Sequence, residues 1–194
     1  MNPETYRAVY PDRDYFKLDQ CMREVELAQG WRHSVGPYAV HERDETRREL
    51  ISVGMVSEDG RRAIYLERND YPRHWCSRFV LAEVLPHLGQ DTVAVCALPE
   101  LRERLRVWLQ ELPRSVHLAC DSIIDLKLVR EVLGGVLPPN LSSGHYDLRP
   151  LVDTSVYHRA VVAYHGYPNH PWHHALHDAS AHRAGWLAWV ASKR

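Results

Sequence analysis

Lysine is nearly missing from this chain: it occurs only at Lys17, Lys127 and Lys193, and the other basic residues are arginines. The formal net charge is -1, which excludes a polycation that holds nucleic acid over its whole surface. Any such site must be a local patch. Arginine, with its planar fork of donors, suits phosphate contacts there, although a genome-wide codon bias explains the arginines equally well. Cysteine is scarce too. Cys21, Cys76, Cys96 and Cys120 stand too far apart for a C-x-x-C metal or dithiol motif. Cys96 and Cys120 lie in apolar runs and are expected to be reduced core residues. No run is apolar enough over enough residues to span a bilayer, so no membrane partner is expected. The opening MNPETYRAVYPDRD carries no apolar signal segment, which makes the cytoplasm the expected location. Internal repeats, low-complexity tracts and an H-E-x-x-H zinc motif are also lacking.

What remains fits one globular α/β domain. The chain has 194 residues, 45% hydrophobic and 25% charged, enough to bury a core and too apolar for wholesale disorder. Residues 1–36 are polar, irregular and spotted with aromatics. They are expected to form an N-terminal appendage, with one helix over 15–28 ended by Gly30. The core domain is expected over 37–194. Residues 37–44 (PYAVHERD) alternate like a strand, 50–56 (LISVGMV) read as a buried strand, Glu58-Asp59-Gly60 as a hairpin turn, and 62–67 as a returning strand. Apolar spacing predicts helices over 79–88 and 98–112, the second with Pro99 in its first turn. A strand is predicted over 115–120, and a helix over 124–133 stopped by Gly134-Gly135. A last strand is predicted over 146–152, a loop over 157–172 and a final helix from Trp172 or His173 to Ala191. A meander followed by alternating helices and strands predicts a mixed sheet flanked by helices.

The C-terminal run Pro171-Trp172-His173-His174-Ala175-Leu176-His177-Asp178-Ala179 is the sharpest chemical signal. His173 and Asp178 are five residues apart, so an imidazole at the mouth of a helix can overhang an aspartate in its first turns. Such a pair suits a cation-holding carboxylate beside a general base; a solvated, histidine-rich helix start is the plain alternative. Asp121 directly follows the strand SVHLAC, where a carboxylate faces the usual ligand crevice of an α/β sheet. A helix N-cap is its plain alternative. The histidines at 165, 170, 173, 174, 177 and 182 could suggest zinc, but no established zinc spacing accompanies them. Trp172, Trp186 and Trp189 could stack bases or simply fill a core.

Four stretches resemble a bacterial family of small 3′–5′ exoribonucleases in the DEDDh, RNase T-like superfamily. They are ELISVGMVSEDGR (49–61), CSRFVLAEVLPHLG (76–89), LRERLRVWLQELPRSVHLACDSIIDLKLV (101–129) and HHALHDASAHRAGW (173–186). The resemblance covers roughly residues 37–190. It implies a ribonuclease-H-like fold, two Mg²⁺ or Mn²⁺ ions, single-stranded RNA 3′ ends as substrate, release of nucleoside monophosphates, and a homodimer. By that likeness Asp121 is the second-motif carboxylate, His173 the general base and Asp178 the last metal ligand. The family's first strand carries Asp-x-Glu. Aligning LISVG without gaps sets Ala39 and His41 at those positions, while Glu42-x-Asp44 offers two carboxylates in reversed order on the opposite face. Two readings follow. One is an exoribonuclease whose ions are held by Asp121, Asp178 and Glu42 or Asp44. The other is a pseudo-exonuclease that binds nucleic acid or protein without cleaving.

Overall fold

The computed structural model describes residues 13–19, 49–113 and 115–194. Six strands form one mixed sheet: β1 (Arg13–Asp19), β2 (Ser52–Ser57), β3 (Ala63–Arg68), β4 (Val95–Cys96), β5 (Ser115–Cys120) and β6 (Leu141–Asp147). Their spatial order is β4-β3-β2-β1-β5-β6. β1, β2 and β3 pair antiparallel in succession. β5 runs parallel to β1, and β6 parallel to β5.

The expected meander therefore exists, but its first strand is not the expected one. Arg13–Asp19 lies inside the sheet, between β2 and β5, so these residues are neither an appendage nor the start of a helix. Residues 37–44 are the expected strand because hairpin strands are usually joined by short turns. The partner lies farther back, beyond residues 20–48. Residues 37–44, with Ala39, His41, Glu42 and Asp44, lie outside the described residues.

The leucine-rich helices cover one sheet face. α1 (Leu98–Gln110) buries Leu101, Leu105 and Leu109, which recur every four residues and so share one stripe. α2 (Ile123–Val132) starts where the Ser122 hydroxyl accepts a hydrogen bond from the Ile124 amide. It stops at Gly134 and Gly135, whose φ angles of 72° and 76° favour glycine. Both helices pack on Val53 and Met55 of β2 and on Val116, Leu118 and Cys120 of β5. Each such leucine contributes about 1.5–3 kcal/mol by leaving water.

The other face is covered by α3 (Arg149–Val152), α4 (Ser155–His165) and α5 (Ala175–Ala191). α4 occupies much of the segment expected to be a loop. The Gly, Pro and His residues of 166–171 mask a helical stripe in which Tyr157 and Val161 are buried one turn apart. The expected last strand is displaced: β6 ends at Asp147, and 149–152 turn into the short α3. Likewise 79–88 form no regular α-helix but a π turn (Val80–Val84) followed by a 3₁₀ turn (Leu85–His87) carrying Pro86. Among the described residues Cys76 and Cys96 are free thiols, and no helix is long and apolar enough to cross a membrane.

Candidate functional site

Two glycines set the geometry of the second face. Any Cβ on Gly54 of β2 would stand 2.4 Å from the Ala175 carbonyl carbon and the Leu176 amide nitrogen. The first turn of α5 thus rests directly on the β2 backbone, as the small residues Ala175, Ala179 and Ala181 allow. On Gly185 a Cβ would meet the Tyr157 ring at 2.8 Å, so α4 and α5 are also pressed together. They run antiparallel. Tyr157 bonds His182 (Oη···Nδ1 2.7 Å) at one end, and Tyr164 bonds His177 (Oη···Nδ1 3.2 Å) toward the other.

Strand register then locates the acids. Directly paired residues share a sheet face. Asp19 pairs with Gly54, and Lys17 pairs with both Val56 and Ala119. Continuing the parallel register by two residues brings Asp19 level with Asp121, the residue after β5. Ala119 packs against Tyr157, Ala181 and Trp186, so this face is the one beneath α4 and α5. The positions of Asp19 and Asp121 and the start of α5 therefore meet at one end and on one face of the sheet. Asp121 is 5% exposed and Asp178, in the first turn of α5, 2% exposed. Ser122 is the N-cap of α2, so Asp121 does not serve as that cap. Asp125, one turn further on, is fully buried in α2.

His173 precedes α5 and is not part of it. Its φ of 66° is unusual for a residue with a side chain, a local strain of the kind often held at functional sites. Its backbone N–H points to Asp178 Oδ1 at 3.3 Å, and its ring meets the Phe79 ring edge-on at 5.1 Å. The expected base is thus beside the expected metal ligand, tied to it through its own amide.

A second histidine, one of those whose clustering could suggest zinc, pairs with Asp178 instead. His165, the last residue of α4, sets Nε2 at 3.3 Å from Asp178 Oδ1, with side-chain exposures of 1% and 2%. Its Nδ1 lies 3.0 Å from the His170 carbonyl oxygen. A carbonyl can only accept, so Nδ1 carries a proton. A hydrogen bond between Nε2 and the carboxyl then needs one more proton between them, either on a cationic ring or on the acid. Burial lowers the ring's pKa, opposed by the carbonyls of His170 and Pro171. No local spacing announces this pair, because its members stand thirteen positions apart on either side of a turn.

More rings surround the pair. Trp172 stacks on His165 at 3.8 Å, Tyr164 on His170 at 4.2 Å, and Tyr65 on His174 at 4.3 Å. Burial, reinforced by His177 and His87, pulls the His174 pKa down to about 4. His177 is lowered by burial and by His170, His165 and His87. These rings are therefore largely uncharged near neutrality. Trp186 and Trp189 belong to the core beneath α5, with the Trp186 indole donating to Glu58 Oε1 at 3.2 Å. Trp172 remains 40% exposed.

Among the described residues no three His, Cys, Asp or Glu side chains form a ready-made metal cage. The chemistry of the donors nevertheless suits a hard dication. Asp121 and Asp178 offer carboxylate oxygens. No family model matches the chain, and no curated protein matches it.

Proposed function

We propose that this protein is a divalent-metal-dependent 3′–5′ exoribonuclease with a ribonuclease-H-like fold, acting on single-stranded RNA ends. The observation that carries the reading is the convergence of three strand- or helix-terminal aspartate positions, Asp19, Asp121 and Asp178, on one sheet end beside His173. In the resembled family's terms, Asp19 is then a candidate first-strand acid beside Glu42 and Asp44, which lie outside the described residues. Asp19, Asp121 and Asp178 would hold two Mg²⁺ or Mn²⁺ ions. When bound, such ions polarise the phosphoryl oxygens and acidify a water molecule. The His173 imidazole accepts the proton of the attacking water, and the carboxylates fix the reacting end in place. One P–O bond forms to water and one breaks to the departing chain, which releases a nucleoside 5′-monophosphate and a shortened 3′-hydroxyl end.

The motif Asp19-Gln20-Cys21 keeps the family's first carboxylate and has cysteine in place of its glutamate. That substitution favours the second reading, a binding module that has lost cleavage. Two measurements separate the readings. Mn²⁺-dependent shortening of a 3′-overhang RNA should occur with the unaltered protein and be lost at least a hundredfold in Asp178→Asn; equal rates in the two proteins would reject the assignment. Calorimetry should show saturable Mn²⁺ binding, and its absence would leave the binding module standing.

A further inference from the structure

We propose that His165 is the positioning residue of this site: it orients the Asp178 carboxylate and links it to the 166–172 turn. The inference rests on the metal-site reading above. Every constraint on the ring is visible. Nε2 faces Asp178 Oδ1 at 3.3 Å, Nδ1 faces the His170 carbonyl at 3.0 Å, Trp172 covers a ring face at 3.8 Å, and Tyr164 meets the ring edge-on at 5.5 Å. A histidine that only filled space would use its nitrogens wherever water or backbone allowed. Here one nitrogen is anchored to the backbone and the other is spent on a buried acid expected to hold a cation. Groups that orient a metal ligand from behind typically change metal affinity by about 10–100-fold when removed. The same ring carries the loop's position to the carboxylate, because His170 is itself fixed: its Nδ1 bonds the Tyr164 carbonyl at 3.0 Å.

The test uses the full chain and two replacements that differ in reach. The amide of His165→Gln can extend to where Nε2 lies and donate to Asp178. The shorter amide of His165→Asn can reach the His170 carbonyl side but not the acid. Mg²⁺ titration by calorimetry should give His165→Gln an affinity within about threefold of the unaltered protein, and His165→Asn one weaker by about tenfold or more. A measurement on the unaltered protein guards against variants that do not fold. Its His165 ring ¹⁵N resonances should move on saturation with Mg²⁺, while those of the exposed His158 stay in place. Equal affinities in both variants, or an unmoved His165 in protein that binds Mg²⁺, overturn the inference and leave the nuclease reading intact. No saturable Mg²⁺ binding by the unaltered protein overturns the metal reading, and this inference with it.

Discussion

The two faces of this sheet solve the same burial problem with different chemistry. Beneath α1 and α2 the sheet meets leucine, valine and cysteine, and the packing is mostly apolar, with Asp125 of α2 also buried. Beneath α4 and α5 it meets tyrosine, tryptophan and alanine, with Asp121, Asp178, His117 and His182 buried among them. The first face holds the fold together. The second gives up some of that security to keep carboxylates and imidazoles out of water, where each polar atom needs a partner. A sheet with both faces like the first would be more stable and would have nowhere to do chemistry.

The largest expected effect breaks the comparison on its apolar side. Leu105→Ala removes a fully buried side chain from the α1 stripe, and stability should fall by about 2–5 kcal/mol in urea unfolding. The folded fraction should bind Mn²⁺ as before, since Leu105 belongs to the opposite face. Weakened metal binding in that variant would mean that the faces are not separable.

Gly54→Ala attacks the polar side at its closest contact. A Cβ there would lie 2.4 Å from the backbone of Ala175 and Leu176, atoms that cannot rotate away. Stability should drop by about 1–3 kcal/mol. The start of α5 should lift with Asp178, so metal affinity should fall as well. Gly185→Ala is the milder partner, because the Tyr157 ring at 2.8 Å can tilt. A smaller loss with metal affinity unchanged is expected from it, checked by the same melts and titrations.

These contrasts also show what could be read beforehand. The strand at 115–120 and the α1 stripe were legible because their signal is local: alternation ended by Asp121, and leucines every four residues. The pairing of β1 with β2 was not, because it spans residues 20–48 and no periodicity reports a long-range partner. One local clue existed. Both β1 and β5 are short apolar-polar runs closed by an aspartate, Asp19 in one and Asp121 just beyond the other. The His173–Asp178 spacing was legible as a motif, whereas His165 became visible only once α4 folded back on α5.

Acid should act chiefly on the polar face; the exception is His145, which pairs with Leu118 of the apolar face and is likewise lowered by burial. His174, with a pKa pushed down to about 4, binds fewer protons folded than unfolded between about pH 4 and the ordinary value of 6.5. His165, His177 and His145 are shifted the same way by burial. Folding stability therefore rises with pH across that window and is lost as pH falls from 6.5 toward 4. Partial exposure keeps the His174 share to about 1–3 kcal/mol. Urea midpoints at pH 7 and pH 4.5 measure the sum, and His174→Gln should flatten the slope. An unchanged slope would mean that this ring does not stay neutral in the folded protein.

The smallest effect tests whether the acidic sheet end also meets a phosphate chain. β6 ends beside β5, with Asp147 opposite Cys120, and Arg149 forms a fork with Asp147 at 2.7 Å while also feeling the charge of Asp121. The Arg149 side chain is 63% exposed, so Arg149→Ala should change stability by less than about 1 kcal/mol. If RNA runs over this end, the arginine instead serves as a phosphate contact. The variant should then bind RNA more weakly at low salt, with the slope of log affinity against log salt shallower by about one. Cleavage at saturating RNA should keep its rate, because Arg149 stands outside the Asp121, Asp178 and His173 group. An unaltered salt slope would mean that Arg149 makes no phosphate contact.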